Sequence, residues 1–70
     1  MISIIPDLDI YRTANLLVSN HGQDAPIEAA MRADAMLEKG DLDGYAVWKR
    51  VLKAVEELLR DAPKEGERVN

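Results

Sequence analysis

The chain has 70 residues, no cysteine, and 13 acidic against nine basic side chains, for a net charge of −4. Disulfides, thiolate metal sites and thiol nucleophiles are excluded, and the acidic balance disfavours binding to a nucleic-acid backbone as a global property. A domain of this size buries only about 60% of the surface its unfolded chain exposes, so dense helix packing or self-association must supply stability.

The opening segment, MISIIPDLD, has neither the basic start nor the long apolar region of a signal peptide, and no apolar run reaches a membrane span. A cytoplasmic protein is therefore expected, without membrane attachment. Ile2, Ile4 and Ile5 suit an extended N-terminal arm, which would lie across its own chain or a neighbouring one.

Pro6 suits a helix start, because its missing N–H costs nothing there, and Asp7 and Asp9 would sit at the positive end of the macrodipole. Leu8, Ile10, Tyr11, Ala14, Leu17 and Val18 recur at helical spacing, predicting a first helix over about 7–20. Gly22 is the natural left-handed residue beyond its end. His21, the sole histidine, reads as a cap at the helix C-terminus, favoured by the dipole and able to bond the last free carbonyls, or as a partner or metal contact. Catalysis is disfavoured, because Ser19 would point from another side of the turn and no orienting group is evident.

A second helix over about 25–39 follows, with Asp24 as its expected cap and Pro26 in its first turn. Ile27, Ala30, Met31, Ala33, Ala35, Met36 and Leu37 form its predicted apolar side, and Glu28 with Arg32 makes a favourable i,i+4 pair. The many small side chains predict close helix approach with modest gain per residue.

The corner KGD reads as a left-handed Gly40 followed by Asp41 capping a third helix over about 42–61. Leu42, Tyr45, Trp48, Val51, Leu52, Val55, Leu58 and Leu59 keep the three-and-four spacing for nearly five turns. Gly44 costs about 1 kcal/mol of helix propensity, so it marks a loose first turn or a point where another backbone approaches closely. Pro63 and the polar residues that follow predict a flexible tail over 63–70, beyond a single helical domain over 1–62. The fold expected is all-α, a small three-helix bundle with an extended N-terminal arm and a disordered C-terminal tail.

Neither DLD pair builds a calcium loop: counting from Asp41 as the first, the twelfth position is Leu52, where a bidentate Glu is required. Helix-start electrostatics account for both pairs, and no cofactor, metal or catalytic residue is expected. So short a chain also lacks the cleft that a carboxylate pair would need. The third helix is too acidic in its first turn for a DNA-reading helix, and a single tetratricopeptide-like unit would not be stable alone. The excess of its apolar ridge over the two shorter helices points to a homodimer, with Ile4, Ile5, Tyr45, Trp48, Leu52, Val55 and Leu59 as candidate interface. Residues 45–62 carry four bases and three acids, so Lys49, Arg50, Lys53 and Arg60 are the candidate contacts for an anionic partner, and a nucleic-acid-associated regulator is the alternative reading.

Together, DIYRTANLLVSNHG, APIEAAMRADAMLEKGDLDG and VWKRVLKAVEELL resemble a family of short all-helical alphaproteobacterial proteins catalogued as a domain of unknown function. The resemblance covers about residues 7–59 and is most distinctive at His21-Gly22, Arg32-Ala33, Gly40-Asp41 and Trp48. It implies a compact helical protein of the bacterial cytoplasm and transfers no catalytic residues. The function expected is a protein interaction or adaptor module, not an enzyme.

Overall fold

The computed structural model describes residues 6–61. Among these the architecture is all-helical: α1 (Asp7–His21), a 3₁₀ turn (Gly22–Asp24), α2 (Ala25–Glu38) and α3 (Leu42–Asp61). The predicted arm, with Ile4 and Ile5, and the predicted tail lie outside the described residues.

The three expected helices are present to within a residue, but the first two are not separate. Asp24 has φ −87° and ψ −3° and no side-chain cap bond, and Ala25 N–H donates to Gly22 C=O. A side-chain cap needs an extended backbone at the capping residue. Here the backbone departs from helical values at Gly22 and is helical again by Asp24, so the expected Asp24 cap gives way to backbone bonding. The result is one long helical run, bent at Gly22–Asp24, with α3 as the second rod.

The start of α1 is set by backbone. Pro6, at φ −58° and ψ 148°, accepts hydrogen bonds from Asp9 N–H at 3.0 Å and Ile10 N–H at 3.2 Å. At the other end Gly22 takes φ 57° and its N–H returns to Val18 C=O. His21 is the last residue of α1 and exposed, and the capping bond is made by Gly22.

The corner between α2 and α3 follows the sequence closely. Asp41 N–H bonds Met36 C=O at 2.9 Å and Gly40 N–H bonds Leu37 C=O at 3.0 Å, the paired bonds of a Schellman ending with Gly40 at φ 79°. Asp41 then caps α3: its Oδ1 accepts from Gly44 N–H at 2.8 Å, and its C=O accepts from Tyr45 N–H. A Cβ built on Gly44 would lie 2.7 Å from Asp41 Oδ2 and 2.8 Å from Met36 Sδ. Gly44 is therefore a point of close approach, but by the side chains of Asp41 and Met36 and not by another backbone, as the second reading expected.

The core is Ile10, Ala14 and Leu17 from α1, Ala25, Ala29 and Ala33 from α2, and Val51, Ala54 and Val55 from α3. The buried row of α2 corrects the predicted one in part. Ala25, Ala29 and Ala33, spaced by four, face inward; of the predicted residues Ala33 is buried and Ala30 and Met36 are half-buried, while Ile27, Met31, Ala35 and Leu37 are exposed. An alanine ridge lets two helix axes approach more closely than Ile or Met would allow, and α3 supplies the volume through its valines. Leu8, Tyr11 and Leu42, also predicted apolar-face residues, are exposed as well.

α3 packs on both arms of the bent run. Between α1 and α3, Asp7 meets Arg50 and Tyr11 meets Glu57.

The corner carries a direct test by urea denaturation. Asp41→Ala is expected to lower stability by about 1 kcal/mol through loss of the cap. Gly44→Ala, which propensity alone would favour by about 1 kcal/mol, is expected to lower it too, because the added methyl displaces the capping carboxylate.

Candidate interaction surface

Trp48 is half-buried on α3, packed against the core beside Val47 and Leu52. The guanidinium of Arg32, on α2, stands 5.2 Å from the centre of its ring. Arg32 is itself held by Glu28, one turn earlier, with both Nε and Nη2 3.1 Å from Glu28 Oε1. The predicted i,i+4 pair thus positions a cation on the indole and ties the outer side of α2 to α3. The ammonium of Lys49 lies 5.9 Å from the Tyr45 ring in the same way, one turn along α3.

Two grooves run between α1 and α3. One, of about 400 Å³, is largely apolar, with Ile10, Val47, Trp48 and Val51 on its walls and Pro6 at its rim. The other, of about 250 Å³, is charged: Asp7, Tyr11, Arg50, Lys53 and Glu57 line it above Ala54. Across it Arg50 Nη2 contacts Asp7 Oδ1 at 2.7 Å, and Tyr11 O–H donates to Glu57 Oε1 at 2.8 Å.

These contacts sort the residues singled out in sequence. Of the candidate interface, Tyr45, Trp48, Leu52 and Leu59 are half-buried, whereas Val55 is fully enclosed by the chain's own core. Val55 belongs to the interior, because residues of α1 and α2 together cover the middle of the α3 ridge. Of the candidate anion contacts, Arg50 is occupied by Asp7, while Lys49, Lys53 and Arg60 are exposed along α3. The acidic pairs are dispersed: Asp7 on Arg50, Asp9 on Arg12 at 3.7 Å, Asp41 on the α3 cap, and Asp43 exposed in the first turn. Among the described residues no three His, Asp or Glu side chains converge as metal ligands would. No helix among them is long and apolar enough to cross a membrane.

The surface that periodicity placed inside is the more informative one. Leu8, Ile27, Met31 and Leu42 are each 59–65% exposed, with Leu37 and Tyr11 at 47% and 41%; Leu16, outside the predicted row, is 60% exposed as well. Ile27 and Met31 stand one turn apart on the side of α2 opposite its alanine ridge. The i,i+4 alanines at 25, 29 and 33 were the signal for this orientation, since three small residues recur there at a spacing of four. No family model, curated protein or solved structure matches the chain.

The bridge between Arg50 and Asp7 joins an intermediate side chain to one that is 89% exposed. A double-mutant cycle with Arg50→Gln and Asp7→Asn is expected to return a coupling of about 0.2–1 kcal/mol that shrinks as salt is raised. Arg32→Gln is expected to alter Trp48 fluorescence while costing about 0.5–1 kcal/mol.

Proposed function

We propose that this protein is a small cytoplasmic protein–protein interaction module, non-catalytic and self-associating as a homodimer or larger homo-oligomer through its helical surfaces. The bent run and α3 together act as a three-helix unit. The observation that carries the reading is an inversion of the usual economy: the inner face of α2 is alanine, and its large apolar side chains, Ile27, Met31 and Leu37, are turned to solvent. Apolar side chains so arranged gain from being covered, at roughly 25 cal/mol for each Å² removed from water. The half-buried Tyr45 and Trp48 add aromatic area of the kind that concentrates binding energy. The resemblance to the alphaproteobacterial helical family agrees with this reading and adds no activity to it.

The nucleic-acid reading has weaker support. Lys49, Lys53 and Arg60 share one exposed face of α3, but Glu56 stands among them and Arg50 is engaged by Asp7. A duplex or single strand bound at low salt would revive that reading.

Light scattering after size exclusion tests the main proposal. The expected mass exceeds the 7.8 kDa monomer and rises with concentration. A mass that holds at the monomer value from low micromolar to about 1 mM would refute self-association, since interface gains even of weak complexes register by mass action over that range.

A further inference from the structure

Helices α2 and α3 each carry an exposed stripe at heptad spacing on the side away from the core. On α2 it is Ile27, Met31, Asp34 and Glu38; on α3 it is Leu42, Ala46, Lys49 and Lys53. The intervals are four, three and four in both, the spacing that keeps side chains on one seam of a helix pair. All eight residues are exposed, with Ile27, Met31 and Leu42 at 60%, 59% and 65%.

Set side by side in parallel, the two stripes agree at every level: Ile27 with Leu42, Met31 with Ala46, Asp34 with Lys49, Glu38 with Lys53. The other pairings fail. Either stripe laid parallel to its own copy opposes like charges, and every antiparallel pairing opposes apolar side chains to charged ones, leaving charge uncompensated and apolar area poorly covered. Within one chain the pairing is closed off, because the Gly40-Asp41 corner fixes α2 against α3 through their inner faces and turns both stripes outward.

We infer that copies of this chain associate head to tail, the α2 stripe of one copy lying parallel to the α3 stripe of the next. This deepens the self-association proposed above and rests on it. Because two different surfaces meet, the contact is heterologous, and each pair leaves one α2 stripe and one α3 stripe unfilled. Association therefore continues beyond two copies. Each stripe spans 12 residues, roughly 18 Å of helix, and four side chains a side bury less than the about 800 Å² per partner of stable complexes, so the contact is weak and concentration-dependent. Half of its levels are ion pairs at the surface, so it weakens with salt.

Sedimentation equilibrium on the full chain and on two charge-reversed variants, Asp34→Lys with Glu38→Lys and Lys49→Glu with Lys53→Glu, tests this. At low salt the unaltered chain is expected to show a weight-average mass that climbs with concentration past about twice the monomer, and to fall back toward monomer near 0.5 M salt. Each variant alone is expected to remain monomeric, because its own stripes now repel, and an equimolar mixture is expected to associate again. Circular dichroism establishes that both variants are helical; the single substitutions Glu38→Lys and Lys53→Glu, each removing one ion pair, serve if a double variant does not fold. Association of either reversed variant at wild-type strength, or a mixture that stays monomeric, would overturn the stripe pairing while leaving self-association intact. An unaltered chain that is monomeric throughout would overturn both.

Discussion

The structure depends on how closely α2 can approach α3. Ala25, Ala29 and Ala33 present methyl groups where most amphipathic helices present Leu or Ile, and Val51 and Val55 fill the space opposite at 1% and 0% exposure. Close approach of two backbones raises packing density without requiring many large side chains, which matters for a chain with no disulfide and little area to bury. The corner makes the approach possible. Gly40 turns the chain in the left-handed region, Asp41 caps the next helix within the same four residues, and Gly44 leaves room for that carboxylate and for Met36.

That geometry also decides what is left outside. Once the alanine row faces inward, helical periodicity forces Ile27 and Met31 to the opposite side, where nothing within the described chain covers them. The polar contacts reinforce the same arrangement without carrying it. Arg32 on Trp48 ties α2 to α3, and Arg50 on Asp7 with Tyr11 on Glu57 tie α1 to α3, all near the surface, where such pairs contribute little each. Core and exposed stripe are thus two consequences of one choice of helix face.

Much of this was legible in the sequence. Helix ends were announced by Pro6, Gly22, Gly40 and Asp41, whose backbone preferences are local and act wherever they stand. The ridge of α3 was legible as well, because Val51 and Val55 lie on the one apolar stripe of a strongly amphipathic helix. The face of α2 was not. Its residues offer two apolar sides, one small and one large, and hydrophobicity alone favours burying the large one; the decision belongs to the distance between helices, a tertiary quantity. Asp24 misled for a related reason: its side chain suits a cap, but the 3₁₀ turn keeps its backbone helical and satisfies the amides first. Val55 shows the limit for surfaces, since a ridge residue read as available to a partner is closed by the chain's own core.

The alanine ridge is tested most directly by exchanging small for large and large for small on the two sides of α2, with stability measured by denaturation at low micromolar concentration. Ala29→Leu is expected to destabilise by about 1–3 kcal/mol through overpacking, whereas Met31→Ala is expected to change stability by less than about 0.5 kcal/mol. The reverse order, with Ala29→Leu tolerated and Met31→Ala costly, would mean that α2 presents its other face to α3 and would contradict the account.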